Sequence, residues 1–421
     1  MTATATFFRT AAWLGQGRAL AWIRLLTVAS VLTASALLVL THGGRLPDPW
    51  GRPLGADFSS FWTAARLALA GTPGAPWEPT AHAAAQRASF LVGDGFEPDY
   101  YAFFYPPPFL LICLPFGLLP YGLALIAWIG LTGVAFLTVL RAMLPRCWPA
   151  LLAGVGFPAF MLNAMYGQNG ALSAALFATA AVWLDRQPWL AGACLGTLCY
   201  KPQLVLLVGP ALVCARRWRA LAGAAGAVVL LCMASLLILG GDAWRGFFVD
   251  SALARAALEQ GLVEYGKMSS TFAGLRLLGA RLQLAWTVQA AVALATLAVV
   301  VAVAWRRPGG PAEMAVTATG TCLATPFLLG YDLTLLAVPL AWVVAEAAHD
   351  GFLPWERLVL AAGYLLALFS VVLALNLGLP AAPLVVAALL IVVCRRALSR
   401  HPGGRGAVRL SQEVSPCPSG T

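Results

Sequence analysis

Charge is what this chain has least of. Only 10% of its 421 residues are Asp, Glu, Lys or Arg, against about 25% in a typical soluble domain. So few charges cannot cover a surface that meets water on every side. With 60% hydrophobic residues, the chain reads as an integral membrane protein. The ten-residue alternation of a membrane barrel is missing too, and apolar runs of about 20 residues fit the hydrocarbon thickness as helices. Lysine occurs only twice, at Lys201 and Lys267. The nine cysteines are scattered, with Cys113, Cys194, Cys199, Cys232 and Cys322 inside apolar runs. No CxxC pair or Cys/His cluster groups them, so they support neither a zinc site nor a disulfide framework and read as small core residues. Soluble-enzyme motifs are absent: there is no Walker loop, no GxGxxG after a strand, no HExxH and no convincing nucleophile elbow. The loops assigned to the cytoplasm are too short to hold a nucleotide-sugar domain.

The apolar runs set a topology. Arg9 and Arg18 precede a run from about Ile23 to Leu40, with Arg24 at its inner edge. The run is longer than the apolar part of a secretory signal and no clear small-x-small site follows, so it reads as an uncleaved first span. A polar loop from His42 to Phe104 comes next. Pro107 to Leu119, about thirteen residues with Pro108 and Pro115 inside, suits a re-entrant or interfacial helix better than a crossing. Further spans are expected near 121–141, 149–165, 170–184, 188–200, 203–215 and 219–240. A second polar loop, Gly241 to about Arg281, is followed by spans near 282–304, 312–329, 333–348, 355–376 and 380–397. The expected fold class is thus an all-α polytopic membrane protein of about twelve transmembrane helices, with both termini cytoplasmic. Residues 1–21 form the cytoplasmic N-terminus, 22–398 the membrane domain, and 399–421 a Pro/Gly/Ser/Arg tail that reads as disordered.

Charge tests that orientation. With the N-terminus inside, 17 of the 27 basic residues but only six of the 17 acidic ones are cytoplasmic. This is the positive-inside pattern, and a crossing at Pro107 to Leu119 would reverse it. The net charge of +10 therefore reports orientation, and nucleic-acid binding is not expected.

The outer face then collects the polar features. In GADFSSFWTAARLALAG, Gly55 to Gly71, a helical pattern puts Phe58, Phe61, Trp62, Ala65 and Leu69 on one face. Asp57 is either the helix cap, because its oxygens can accept from free backbone N–H groups, or a general base at the outer surface. Arg66 follows nine residues on. Tyr105-Pro106-Pro107 ends the loop, as a rigid lead into the short helix or a ligand contact through Tyr105. Tyr166 to Gly170, with Gln168 and Asn169, is either a turn between spans or part of a site. Lys201 snorkels from a helix end or, beside the helix opened by Pro202-Gln203, holds an anion. Tyr331-Asp332 caps the following span or serves substrate. Lys267 stands in the second outer loop. Ionisable groups at membrane depth are expensive and usually functional. Phe58, Phe61, Trp62, Phe103 and Phe104 read as an interfacial belt, with sugar stacking or a lipid groove as alternatives.

Six motifs in series carry a resemblance: GADFSSFWTAARLALAG, FFYPPPFLLICLPFGLLP, MYGQNGALSAALF, YKPQLVLLVGPAL with its Arg-rich turn, MSSTFAGLRLLG and TPFLLGYDLTLLAVPLAW. Together, over about residues 20 to 400, the chain resembles glycosyltransferase family 87. This bacterial family includes polyprenyl-phosphate-mannose-dependent alpha-1,2-mannosyltransferases. The resemblance implies a GT-C type fold in the bacterial inner membrane, with an active site facing the periplasm or cell exterior. It implies a polyprenyl-phosphate-linked sugar donor, and it matches Asp57 to the family's catalytic acid in the first outer loop. Some members carry a His near the late Tyr-Asp pair; here Phe327-Leu328-Leu329-Gly330 precede Tyr331-Asp332 without one.

On that footing the expected reaction moves a hexose, with mannose the leading candidate, to a lipid or glycan acceptor. Asp57 takes the acceptor proton and the anomeric centre inverts. Lys201 holds the donor phosphate, joined by Lys267 or Arg66, while Gln168, Asn169, Gln203 and Asp332 orient sugar hydroxyls. No cofactor is expected; a divalent metal is the less favoured option, since Asp57 has no DxD partner. Membrane lipids surround the site. The competing class is a transporter or flippase for a lipid-linked or small anionic solute, disfavoured because polar groups gather at one face and no repeat of the first six spans is visible.

Overall fold

The computed structural model describes residues 3–41, 52–90, 100–145, 148–306 and 309–399. The C-terminal tail beyond Ser399 and parts of the loop between residues 42 and 104 lie outside the described residues. Among the described residues the chain is helical with no strand; one isolated antiparallel bridge joins Met268 and Leu329.

The order begins with α1 (Ala3–Thr10) and α2 (Gln16–Leu40). The loop after α2 contributes α3 (Ala56–Leu69) and α4 (Pro79–Phe90), followed by α5 (Pro107–Gly117) and α6 (Tyr121–Met143). A series of short helices comes next: α7 (Ala150–Val155), α8 (Pro158–Tyr166), α9 (Gly170–Trp183), α10 (Pro188–Thr197), α11 (Pro202–Val205) and α12 (Val208–Cys214). The remainder is α13 (Trp218–Glu259), α14 (Thr271–Leu277), α15 (Leu282–Trp305), α16 (Gly310–Ala324), a 3₁₀ turn Gly330–Leu336 running into α17 (Ala337–Asp350), α18 (Glu356–Leu377) and α19 (Ala381–Ser399).

Among the described residues, seven helical segments are long and apolar enough to cross a membrane: α2, α6, α13, α15, the 3₁₀ turn with α17, α18 and α19. The segments expected at 149–165, 170–184, 188–200, 203–215 and 312–329 fold instead as helices of 15 residues or fewer. Proline explains much of the interruption. Pro158, Pro188 and Pro202 each open a new helix at its first position, where a ring without an N–H ends the preceding helix and fits the next. The Pro107–Gly117 helix has 11 residues, about 16 Å of rise. Helix α13 is two pieces joined at Gly240, whose φ of 77° lies outside the helical region.

Small residues let α9 and α16 occupy the centre. Every residue of α16 except Pro311 is buried, and its threonines return their hydroxyls to their own turn, as Thr317 does to the Glu313 carbonyl at 2.7 Å. Both helices run between two poles. At one pole, Asn169 begins α9 while Thr325, just after α16, donates to the Gln203 carbonyl at 3.2 Å. At the other, Arg217 binds Asp185 at 2.6 Å and Glu313 at 3.0 Å, and Gly310 N–H donates to Asp185 at 2.8 Å. Arg396 likewise closes on Glu356 at 2.5 Å. The arginine-rich helix ends share this second pole, away from the first.

Helices α10 and α13 meet through Gly192, Gly196 and Gly223, a spacing that lets backbones touch. A Cβ on Gly192 would stand 1.9 Å from the Ala220 carbonyl oxygen, whereas one on Gly209 would meet nothing within 4 Å. Gly192→Val is therefore expected to destabilise the protein by about 3 kcal/mol, read as a lowered Tm in detergent, with Gly209→Val near wild type. Equal melting of the two variants would contradict this packing.

Candidate active site

The first pole is built around α3. Gly55, in the left-handed region at φ 68°, caps the helix, so Asp57 is its second residue and makes no capping bond. The Tyr121 hydroxyl ties down the lead-in by donating towards the Leu54 and Gly55 carbonyls at 2.5 and 3.0 Å. Burial seats the helix: Phe58 stacks on Trp128, and Phe61 meets Phe103, Tyr105 and Phe109 edge-on. Phe58, Phe61 and Phe103 are each only 1% exposed, so these three form packing beneath the site and neither an interfacial belt nor a sugar platform.

What holds the Asp57 carboxylate is the loop between α8 and α9. Gly167, at φ 65°, makes the turn, and a Cβ there would come within 2.6 Å of Phe58 Cβ. The next residue, Gln168, is buried and donates from Nε2 to Asp57 Oδ2 at 2.8 Å and to the Tyr331 hydroxyl at 3.2 Å. Its Oε1 accepts from the Tyr105 hydroxyl and from Asn169 N–H, both at 3.1 Å. Trp128 Nε1 donates to the Gln168 carbonyl at 3.3 Å. Tyr331 reaches this point because Gly170 lies against its backbone; a Cβ on Gly170 would stand 2.5 Å from the Tyr331 carbonyl oxygen.

A second charged group stands beside the first. Lys201 is buried, with its ammonium 2.5 Å from Asp332 Oδ1 and over the rings of Tyr105 and Tyr331 at 5.8 and 5.6 Å. Asp332 Oδ2 also accepts Leu329 N–H at 3.2 Å, so it caps the 3₁₀ turn and neutralises the lysine at once. The helix after Lys201 spans only four residues and starts with proline, which leaves little of the helix-end anion site expected there.

Asp57, Tyr105, Gln168, Lys201, Gln203, Lys267, Tyr331 and Asp332 all line one cavity of about 1270 Å³. Lys267 stands exposed at it, paired with Glu264 at 3.3 Å, brought close by the Met268–Leu329 bridge. Two expected site residues lie elsewhere. Arg66 is exposed and stacks over Trp62 at 5.4 Å, because nine residues of helix turn it away from Asp57. Asn169 is fully buried behind the turn, its amide outside the cavity wall. The sequence reading did not single out Trp128 or Tyr121; both lie in an apolar span where nothing in the pattern marks them. Away from the polar cluster the wall is largely apolar, with Leu26 and Ala29 of α2, Met161 and Met165 of α8, and Leu368 and Val371 of α18, interrupted by Ser30 and Thr33 of α2 and by Arg52.

A family model described as glycosyltransferase family 87 matches residues 103–326. The chain belongs to that family. Membership makes it a glycosyltransferase, and its long apolar helices make it a multi-pass membrane protein. The matched segment carries Tyr105, Gln168, Lys201, Gln203 and Lys267; Asp57, Tyr331 and Asp332 lie outside it and reach it through the contacts above. No curated protein and no solved structure gives a match.

Electrostatics separate the roles these groups can take. Burial pushes the Asp57 carboxyl up to about 6, against the lowering effect of the bonds from Gln168 and Tyr331 and of the nearby Lys201; Asp332 adds a smaller upward push. A carboxyl poised there can take a proton near neutral pH, while its half-buried edge faces the cavity. Burial, with Asp332 and Asp57 nearby, holds the Tyr105 phenol well above its ordinary value, so it stays a donor to Gln168.

Removing Lys201 alone would strand a buried carboxylate. Lys201→Met is therefore expected to destabilise by about 3–5 kcal/mol in thermal or denaturant unfolding, and Lys201→Met/Asp332→Leu by clearly less. A single variant as stable as wild type would mean that Asp332 is not held by this pair.

Proposed function

We propose that the protein transfers a hexose, with mannose the first candidate, from a polyprenyl-phosphate donor to a lipid or glycan acceptor at the outer face of a bacterial inner membrane. The observation that carries this reading is a single cavity holding a half-buried carboxylate, Asp57, and a buried ammonium, Lys201, with a largely apolar wall shared by α2 and α18. Both helices are long enough to span, so that wall runs alongside lipid and suits a prenyl chain arriving from the bilayer. The clustering of arginines at the opposite pole supports cytoplasmic termini and a cavity facing away from the cytoplasm. About twelve crossings follow if α7 with α8, α9, α10, α11 with α12, and α16 traverse as broken or short segments.

In the proposed step Asp57 accepts the acceptor's hydroxyl proton as the new C–O bond forms at the anomeric carbon. The bond from that carbon to the phosphate oxygen breaks on the opposite face, so the configuration inverts. Negative charge gathers on the departing polyprenyl phosphate, and Lys201 answers it, exchanging Asp332 for phosphate. Gln203, Asp332 and Lys267 are the further substrate contacts in this reading. The proposed step involves no metal, and chelation tests that. Nucleic acid has no part in it, and the partners are the two substrates and surrounding lipid.

The test is transfer from a radiolabelled polyprenyl-phosphate hexose in membranes. Asp57→Asn is expected to lower the rate by about 10²–10⁴-fold while donor binding survives. Because the ionised form is the base, the wild-type rate should fall as pH drops through about 6, where the Asp57 carboxyl takes up its proton. Chelation with EDTA should leave the rate unchanged. Full activity in Asp57→Asn would remove the base from the reading, and no transfer from any polyprenyl donor would remove the donor class.

A further inference from the structure

The amide of Gln168 offers four hydrogen-bonding positions, two N–H donors and two lone pairs on oxygen. Protein groups fill all four. Nε2 donates to Asp57 Oδ2 at 2.8 Å and to the Tyr331 hydroxyl at 3.2 Å, and Oε1 accepts from the Tyr105 hydroxyl and Asn169 N–H, both at 3.1 Å. The orientation of the amide is fixed by chemistry as well as distance. A backbone N–H can only donate, so the atom it meets must be the oxygen; an ionised carboxylate can only accept, so the atom it meets must be the nitrogen. The side chain is 4% exposed, and the loop that presents it is pinned by the left-handed Gly167 and by Trp128.

We infer that Gln168 is the positioning residue of the base: it holds and tunes the Asp57 carboxylate and does not read sugar hydroxyls. This replaces the sugar-orienting role that the sequence pattern assigned to it, and it rests on the proposed reading of Asp57 as the base. The N–H bond, with the Tyr331 hydroxyl, holds the Asp57 carboxylate while its half-buried edge stays at the cavity, where an acceptor hydroxyl can reach it. The same bond favours the ionised carboxylate and so opposes the effect of burial. Tyr105 acts one step further back, since its hydroxyl on Oε1 keeps the amide turned with nitrogen towards Asp57.

Several other ionisable groups face α3 around Asp57. Tyr105 stands before α5, Tyr121 on α6, Lys201 before α11, and Tyr331 and Asp332 on the 3₁₀ turn. His82 of α4 meets the back of α3, its Nε2 lying 3.2 Å from the Ser60 carbonyl oxygen. Burial pushes that imidazole down to about 4, so it stays neutral through the range in which Asp57 titrates.

The test uses the full-length protein and two readouts. In purified protein, the carboxyl stretch of protonated Asp57, identified by its loss in Asp57→Asn, is followed by infrared spectroscopy against pH; this needs neither donor nor acceptor. Gln168→Leu is expected to move its midpoint upward by about one pH unit, the effect of losing one N–H bond to a carboxylate. In membranes, the acid limb of the transfer rate should move with it while the KM for donor stays unchanged. Tyr105→Phe, which loses only a hydroxyl and keeps the inference testable if Gln168→Leu does not fold, should shift the midpoint the same way by less. Combined with Gln168→Leu, it should add nothing.

A midpoint unmoved in Gln168→Leu, or shifts that add in the double variant, overturns the inference. So does a raised donor KM with an unshifted pH profile, which would return Gln168 to sugar binding. If wild type transfers no sugar yet the midpoint still moves, the glycosyl-transfer reading fails and the coupling of Gln168 to Asp57 stands.

Discussion

A polar group surrounded by hydrocarbon must find its partner inside the protein, and the rest of this structure follows from how that demand is met. At the cavity the answer is a connected set of bonds. Asp57, Gln168, Tyr105 and Tyr331 satisfy one another, while Lys201 and Asp332 cancel charge beside them. At the opposite pole Arg217 gathers Asp185 and Glu313 in the same way. Between the poles α16 carries threonines whose hydroxyls turn back on their own helix. Each charge is kept near an end, and the centre is left to alanine, glycine and threonine.

That arrangement depends on short helices. A helix of 14 residues such as α9 rises about 21 Å, less than the full hydrocarbon thickness, and its N-terminus therefore ends at the cavity within the protein. The prolines that open α8, α10 and α11 produce the breaks, and the breaks bring Gln168, Lys201 and Gln203 to one place. Irregular backbone at membrane depth is tolerated where it lines a cavity, and here the cavity is what it lines.

The sequence showed the helical class, the gathering of Asp57, Gln168, Lys201 and Asp332 at one face, and the family, because those rest on composition and local motifs. It did not show partners. Nothing in YGQNG says that the glutamine amide turns inward to Asp57, since that requires α3 to lie against the α8–α9 loop, a contact between residues 111 apart in sequence. Arg66 illustrates the converse. Its distance from Asp57 in the chain is small, yet the helical period carries it to the outside of α3. Lys201 read as a snorkelling or anion-holding lysine because its neutralising partner lies 131 residues away. The aromatic run from Phe58 to Phe61 read as an interface because the sequence cannot show that α5 and α6 cover it. Helix count diverged for a related reason. Hydropathy sees apolar stretches but not the proline breaks that divide them into pieces shorter than the bilayer.

Charge accounting links the two halves of the site. Asp57 and Asp332 outnumber Lys201 by one charge when both acids are ionised, while Arg52 and the Lys267–Glu264 pair line the same cavity. A phosphate entering next to Lys201 on the proposed reading adds to that excess, and in a medium of low dielectric the repulsion is felt most by the acid whose proton affinity is already raised. A base that must be ionised when the donor is bound thus needs its anion held by something other than distance. The amide N–H of Gln168 and the hydroxyl of Tyr331 do this without adding a positive charge, which would bind the phosphate and compete with Lys201. On the proposed reading, neutral donors on the base and a cation on the leaving group keep the two functions apart in a single cavity.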